Sequence, residues 1–268
     1  MDIPEVKRVS AVKRDHLARL AKEGKRPDGR GPDEYRPIKI ERNVIKKAEG
    51  SARVKIGNTM VLAGIKLEVG EPYPDSPEEG AMSTSAELPP LASPEFEPGP
   101  PSGEAIEVAR VVDRGIRESN AIDLSKLCIK EGEKVWLIYV DIYVLNHDGN
   151  LIDASALAAL GALLNARFPK VEDEKIVYGE LTNEKLPIRK LPICCTFAKI
   201  GNRFLIDPCL REEVAMDVGL SVTTTSGGKV NALQKLGKNT GLREDEISKC
   251  VEMAIRKGRE LRQLFKKV

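Results

Sequence analysis

The alternation of hydrophobic and polar residues along the chain predicts a series of strands. Segments with a period of two are bounded by Gly, Pro and Asn, and Gly57-Asn58 separates two of them as a hairpin turn would. The predicted strands are 38–44, 52–56, 59–69, 81–88, 134–146, 192–200, 203–206, 213–225 and 229–236. The longest, 134–146, is apolar on both faces, so we expect it in the middle of a sheet, where Asp141 requires a buried partner or a bulge.

A helical period predicts helices between and around these strands. The predicted helices are 4–22, 103–120, 153–167 and 244–266. Gly24 ends the first and Ser102 caps the second, while the third is so rich in Ala, Leu and Gly that it should be buried on nearly every side. The Pro- and Glu-rich stretches 71–80 and 89–103 are typical of exposed loops. This order of elements indicates an α+β fold, with mixed sheets packed against helices, rather than an alternating doubly wound fold.

Composition excludes several classes of protein. Hydrophobic residues make up 41% of the 268 residues, which is enough for a packed core. Because 43 basic residues face 41 acidic ones, net charge gives no nucleic-acid signal, and any basic site must be a local cluster. The five cysteines include no CxxC pair, which argues against a zinc site or a disulfide framework and favours reduced thiols inside a cell.

No stretch of the sequence has the character of a leader or a membrane span. Charged residues occur from Asp2 onward, and the longest weakly polar run, 154–168, is too short to cross a bilayer. We therefore expect a soluble, cytoplasmic protein with no membrane partner. No residue cluster indicates a metal ion or a cofactor.

The turn Asp148-Gly149-Asn150 has the setting of an anion site but not the side chains of one. It follows a long strand and opens a helix, where backbone N–H groups and the helix dipole favour a phosphate. A phosphate cradle needs further glycines, a hydroxyl and a basic side chain, and 150–153 reads Asn, Leu, Ile, Asp. His147 lies beside this turn, but no Ser or Cys nucleophile pairs with it.

Three arginines form the clearest basic cluster. Arg110, Arg114 and Arg117 fall within a narrow arc of the predicted helix 103–120, since each residue turns a helix by about 100°. They could contact RNA phosphates together. The alternative is that they only form ion pairs with acidic residues three or four positions away. Those acidic residues are Glu107, Asp113 and Glu118.

The first predicted helix is also basic. Its basic residues are Lys7, Arg8, Lys13, Arg14, Arg19 and Lys22. A membrane or RNA surface would account for them, and so would a solvated helix face or packing on a neighbouring subunit, which we favour.

Four motifs, in order and at matching spacing, resemble those of the ribonuclease PH family. They are Arg26-Pro27-Asp28-Gly29-Arg30, the stretch 105–114, Asp148-Gly149-Asn150 with its small-residue helix, and the stretch 199–208. Within this family, the chain resembles the non-catalytic ring subunit of the archaeal exosome. The resemblance implies a fold like the second domain of ribosomal protein S5. It divides the chain into an N-terminal helical extension, 1–25, and an RNase PH-like domain, 26–268.

The resemblance also implies partners and a reaction. Active members of the family use inorganic phosphate to release nucleoside diphosphates from the 3′ end of RNA. The ring alternates catalytic and non-catalytic subunits as a trimer of heterodimers, carries RNA-binding cap subunits, and encloses a channel for single-stranded RNA. Arg110 and Arg114 match positions from which the non-catalytic subunit reaches RNA beside its neighbour's active site, and Arg117 lies on the same face.

The chain departs from the active pattern at several points. The phosphate turn of active members, Gly-Gly-Ser/Thr-Arg, falls on 149–152, where one glycine remains. Their Arg pair before the first long helix falls on 101–103, which reads Pro-Ser-Gly, and of two aspartates only Asp207 is present, since Gly201 stands at the other position. Asp153 would further repel an anion by about 1 kcal/mol or more.

We therefore predict a ring subunit with no catalytic residues of its own, which structures its partner's active site and contacts RNA through Arg110, Arg114 and Arg117. One alternative is an active phosphorolytic 3′-to-5′ exoribonuclease with an unusual site. The other is a scaffold that makes no contact with RNA.

Overall fold

A computed structural model describes residues 11–172, 175–237 and 240–266. The helices are α1 (Ala11–Lys22), α2 (Gly103–Arg117), α3 (Leu151–Asn165), α4 (Leu210–Ala215) and α5 (Glu244–Arg262). The strands are β1 (Ile38–Arg42), β2 (Gly50–Ile56), β3 (Thr59–Gly70), β4 (Ala81–Glu87), β5 (Cys128–Lys130), β6 (Lys134–Asn146), β7 (Arg167–Glu172), β8 (Lys175–Lys185), β9 (Ile193–Ile200), β10 (Arg203–Ile206), β11 (Val218–Thr224) and β12 (Val230–Leu236). Short 3₁₀ helices occur at Leu124–Leu127 and Gln263–Lys266.

The first sheet has the order β1-β2-β3-β6-β4, and β5 pairs with β6 as well. Its pairs are antiparallel except for β4 and β6, which run parallel. Ile56 pairs with Thr59, so β2 and β3 are joined by the two-residue turn Gly57-Asn58, as the sequence predicts. Gly57 has a φ of 58°, which a glycine adopts without strain.

The interior position of β6 is confirmed, but the expectation that both its faces are buried is wrong. From Ile138 to Val144 its residues alternate between buried and partly or fully exposed, which means that one face only is covered. Asp141 lies on the exposed face, where Ser85 donates its hydroxyl to the carboxylate at 2.8 Å. Asp141 therefore needs neither a buried partner nor a bulge.

The second sheet has the order β10-β9-β11-β12. The hairpin of β9 and β10 around Gly201-Asn202 is as predicted. The predicted strand 213–225 is wrong in its first part, because the chain forms α4 there and β11 begins only at Val218. A capping box at Cys209, in which the Glu212 carboxylate accepts the Cys209 N–H at 2.9 Å, starts this short helix.

Two further regions differ from the prediction. The antiparallel pair of β7 and β8 was not predicted, since Pro169, Gly179 and many charged residues obscure the alternation of hydrophobic and polar positions. The loop 89–103 is not exposed throughout, because Ala92 and Phe96 are buried in the main core.

Helix α3 occupies the centre of the molecule, as its composition predicts. It packs against β2 and β3 of the first sheet and against β9 of the second. Leu157, Leu160 and Leu163 are each 1% exposed, which makes this helix the main hydrophobic link between the two sheets. Its N-terminal turn therefore lies where the two sheets meet.

Helix α1 docks on the second sheet rather than on the main core. Leu17 and Ala21 pack with Ile200, Leu205 and Ala215. The helix ends as predicted, with Gly24 at a φ of 72° and the Lys25 N–H donating to Leu20 O at 2.9 Å. Its predicted beginning at Pro4 and the basic residues Lys7 and Arg8 lie outside the described residues. The division at residues 25 and 26 stays a prediction.

Candidate functional site

The turn before α3 is covered by the chain's own backbone. Gly149 has a φ of 84°, and a Cβ added to it would lie 2.4 Å from Leu210 N and 2.7 Å from Pro208 O. Leu210 N donates to Asp148 O at 3.1 Å, which fastens the segment before α4 onto the turn. Main chain therefore occupies the side of Gly149 on which any other residue would carry its Cβ, so this turn requires a glycine.

The first peptide N–H of this helix start already has a carboxyl partner. The Asn150 N–H donates to Glu213 Oε1 at 2.7 Å, and Glu213 is supplied by α4. Burial raises the pKa of Glu213 to about 8, with Glu104 and Asp207 adding to the rise, and the Asn150 N–H and Arg36 opposing it. A carboxyl group that is largely protonated at pH 7 thus occupies an N–H that would otherwise be available to an anion at this helix N-terminus.

Asp153 faces inward, so the expectation that it repels an anion at the turn is not supported by its position. The residue is fully buried. Its carboxylate accepts hydrogen bonds from Tyr35 Oη at 2.8 Å, from Asn150 Nδ2 at 2.9 Å, and from Thr196 N at 3.0 Å and Oγ1 at 2.8 Å. Burial raises its pKa to about 6 against these bonds, which favour the charged form. Asp153 links α3 to β9.

Asp207 is enclosed by cationic and amide donors. Its Oδ2 accepts from Arg36 N and Nε, each at 2.9 Å, and from Arg30 Nη1 at 2.9 Å. Its Oδ1 accepts from Arg36 Nη2 at 2.8 Å and from Asn150 Nδ2 at 2.7 Å. These donors satisfy the lone pairs that a metal ion or a reacting proton would need. Among the described residues, no three His, Cys, Asp or Glu side chains are placed to hold a metal ion.

Arginines from the motif 26–30 and from position 36 build this enclosure. Arg26 pairs with the buried Glu212 at 2.5 Å and donates to Asp207 O at 2.8 Å. Arg36 also donates to Asp148 O at 2.6 Å and to Gly149 O at 3.3 Å. The cations therefore tie the turn, the Asp207 loop and α4 together instead of facing an open site.

His147 has no catalytic setting. Its ring stacks on Phe96 with centroids 5.3 Å apart. Its backbone N–H donates to Ala92 O at 3.0 Å. Burial lowers the pKa of His147 to about 4, so the ring is neutral at pH 7. The contact holds the loop 89–103 against the turn.

The three arginines of α2 lie on one exposed side, as the sequence predicts, but their surroundings differ. Ser102 caps the helix by accepting the Ala105 N–H at 3.2 Å. Arg110 is exposed, with no partner among the described residues. Arg114 Nη1 donates to Gln234 Oε1 at 3.2 Å. Arg117 donates to Asp113 at 3.0 Å and to Met82 O at 2.9 Å, so the ion-pair alternative applies to this residue.

Outside these sites the structure adds two observations. In the part of the chain that it describes, no helix is both long enough and apolar enough to cross a membrane. On α1, Arg19 contacts the His16 ring at 3.3 Å, and the apolar side of the helix is used to dock on the second sheet. This placement agrees with a solvated basic face.

The family of the chain follows from comparison with known proteins. It belongs to the 3′ exoribonuclease family, because residues 34–169 match domain 1 of that family and residues 190–257 match domain 2. It is 52% identical over 259 residues to the exosome complex component Rrp42 of Pyrococcus horikoshii, which covers 96% of this chain and 94% of that protein.

Solved structures give the same result. The chain resembles one in an Archaeoglobus fulgidus exosome with RNA bound to the active site, with a TM-score of 0.88 and 49% identity over 95% of this chain and 98% of that one. A chain of an archaeal exosome core gives a TM-score of 0.86 and 44% identity over 98% of this chain and 100% of that one. The predicted RNase PH-like α+β fold is confirmed.

Sequence reasoning missed Glu213. It was assigned to a strand, and nothing in the local pattern indicates a partner at Asn150, which lies 63 positions away. The Cys209-x-x-Glu212 capping pattern was the available signal for α4, and α4 is what brings Glu213 to the turn.

The raised pKa of Glu213 gives a testable pH dependence. Between pH 4.5 and about pH 8 the folded protein keeps a proton that the unfolded chain has released, so this group's contribution to stability falls as pH rises through that window. Glu213→Gln keeps an acceptor for the Asn150 N–H and removes the titration. We expect its unfolding midpoint in guanidinium chloride to gain on the wild type steadily from pH 5 to about pH 8 and to keep a constant lead above that pH.

The matched control is Glu131→Gln, an exposed carboxyl in the turn before β6. Its difference from the wild type should be small at every pH. A Glu213→Gln difference that is equally independent of pH would show that folding does not raise the pKa of Glu213.

Proposed function

We propose that this chain is a non-catalytic subunit of an archaeal exosome core ring, supporting phosphorolytic 3′-to-5′ RNA degradation by a catalytic homologue. The observation that carries the proposal is the contact between Glu213 and the Asn150 N–H at the start of α3. Relatives named as exosome components and exosome cores support the assignment to this complex.

Phosphorolysis requires a site that this chain fills with its own groups. The attacking phosphate needs free donors, and the departing oxygen needs an acid or a metal ion. At the turn, the Glu213 carboxyl takes the Asn150 N–H, and the backbone from Pro208 to Leu210 packs against Gly149. Asp207, the remaining acid, is enclosed by Arg30 and Arg36. The partner must therefore supply the phosphate site and the acids.

We propose that the partners are those which the sequence predicts. A catalytic RNase PH-like subunit would alternate with this chain in a hetero-hexameric ring, a trimer of heterodimers. RNA-binding cap subunits and single-stranded RNA complete the set. Five free thiols fit a reducing compartment, which supports a cytoplasmic complex.

For RNA contact we propose Arg110 and Arg114. Both guanidiniums are on the exposed side of α2, and neither is neutralised by a described acid within salt-bridge distance. They would hold phosphate oxygens without reading the bases, so binding would weaken steeply with salt. Arg117 is a weaker candidate, because its ion pair with Asp113 must be broken or shared.

The proposal is tested by co-expression with the catalytic homologue, followed by native mass measurement and an assay of ADP release from poly(A) in phosphate. We expect a hexamer with three copies of each chain, and activity that exceeds that of the catalytic chain alone. Failure to assemble, or assembly with no gain in activity, would contradict the supporting role.

A further inference from the structure

Gln234 connects an arginine and a carboxylate on the exposed side of α2. It lies on β12, the strand at the end of the second sheet, opposite Ser221 of β11. Its Oε1 accepts from Arg114 Nη1 at 3.2 Å, and its Nε2 donates to Glu107 Oε1 at 3.3 Å and to Lys235 O at 3.2 Å. One half-buried side chain from another part of the chain thus bridges two residues of the helix.

The amide group suits both neighbours. Glu107 and Arg114 are seven residues apart, which separates them by about 10 Å along the helix axis, too far for a direct ion pair. A side-chain amide can accept from a guanidinium at one atom and donate to a carboxylate at the other, which a carboxylate or an ammonium cannot do. Gln234 therefore restrains Arg114 with a neutral acceptor and at the same time holds the Glu107 carboxylate.

The three arginines differ in how they are restrained. Arg117 is fixed by the charged Asp113, which cancels its charge, and Arg110 has no described partner. Among the described residues, Arg114 hydrogen-bonds to Gln234 alone, so it keeps its full charge and its other N–H donors while its side chain has fewer accessible conformations. Such a guanidinium loses less conformational entropy when it binds a phosphate oxygen.

We propose that Gln234 is a positioning residue for RNA, which orients Arg114 toward the phosphate backbone and diverts Glu107 from it. This inference rests on the proposed function. It predicts energetic coupling between Gln234 and Arg114 that is visible only in RNA binding.

The test is a double-mutant cycle in the assembled ring with the catalytic homologue, measured by binding of a single-stranded oligo(A) in the absence of phosphate. Gln234→Ala is expected to weaken binding about 3- to 10-fold, as the loss of one orienting hydrogen bond would. Because both changes remove the same oriented group, Gln234→Ala combined with Arg114→Ala should bind within about twofold of Arg114→Ala alone.

The salt dependence of RNA affinity distinguishes a positioning role from a merely structural one, because a structural role would leave it unchanged. Gln234→Glu places a carboxylate beside Arg114 and cancels its charge. The slope of log affinity against log salt should then become shallower by about 0.7, the value of one phosphate contact on a single strand. Arg114→Ala should change the slope by the same amount.

Asn231→Ala is the matched control. Asn231 is also on β12 and also bonds to the end of α2, through Glu118 O at 3.3 Å, but it has no hydrogen bond to an arginine among the described residues. Its affinity and salt slope should equal those of the wild type, and native mass should show intact rings for every variant.

Two results would overturn the inference in distinguishable ways. If Arg114→Ala weakens binding and Gln234→Ala adds an independent loss, or none, Gln234 does not position Arg114, and the proposed function is untouched. If Arg114→Ala leaves affinity unchanged, the RNA role of this part of α2 fails, and the role of Gln234 fails with it.

Discussion

Asp207→Asn is expected to cost about 3–5 kcal/mol in the free energy of unfolding, because it removes the negative charge between two largely buried guanidiniums. The side chain of Asp207 is fully buried and that of Arg36 is 7% exposed, and they meet at 2.8 Å. Asparagine keeps the shape, and it tolerates the φ of 49° that Asp207 adopts. The loss should therefore report the charge, measured by guanidinium chloride unfolding at pH 7.

Asp28→Asn is the control, since Asp28 binds the same Arg30 at 2.7 Å but is 38% exposed. A pair of this kind is worth about 0–1 kcal/mol. If the two variants lost equal stability, Asp207 would not be the central anion of a structural network. Its retention would then need another explanation, such as a direct part in chemistry.

Arg110→Glu combined with Arg114→Glu is expected to weaken RNA binding by the assembled ring at least about tenfold. Each guanidinium hydrogen bond to a phosphate is worth about 1.5–3 kcal/mol, and reversal replaces attraction by repulsion. The salt slope should fall by about 1.4, for two contacts. Fluorescence anisotropy with a labelled oligo(A) at several salt concentrations measures both quantities.

Arg256→Glu combined with Arg259→Glu changes the net charge equally on the exposed side of α5. This control variant should affect RNA binding far less than the α2 double variant. The ring should remain assembled with either double variant. Equal effects of the two pairs would indicate a general electrostatic field instead of contacts on α2, and no effect of either would favour a scaffold that does not touch RNA.

The elements of the fold that depend on local pattern are predictable from the sequence. The burial of α3 follows from its composition, and the turn at Gly57 follows from the two strands it joins. Asp141 was misjudged because apolar residues such as Tyr143, 38% exposed, also occur on an open sheet face. The helix α4 was missed because a six-residue helix has too few turns to show a period.

The sequence predicts that the turn lacks the side chains of a phosphate cradle, but it does not predict which residue of the chain binds there. The residues at 149–152 already exclude a phosphate cradle. The partner of the Asn150 N–H depends on how α4 packs over the turn, which is a long-range contact. The partners of Arg114 and Arg117 were likewise not predictable. Arg114 bonds to Gln234 of β12 and Arg117 pairs with Asp113 of α2, and both choices depend on tertiary packing.

The most direct measurement of the central claim is nucleoside diphosphate release by the isolated chain. The purified protein is incubated with poly(A) and inorganic phosphate, with the reconstituted ring as a positive control and a phosphate-free reaction as a blank. Because Glu213 occupies the Asn150 N–H, and the turn 149–152 lacks the hydroxyl and the basic side chain of a phosphate cradle, we expect no ADP above the blank from the chain alone, and ready release by the ring. Sustained, phosphate-dependent ADP release from the isolated chain would contradict the account.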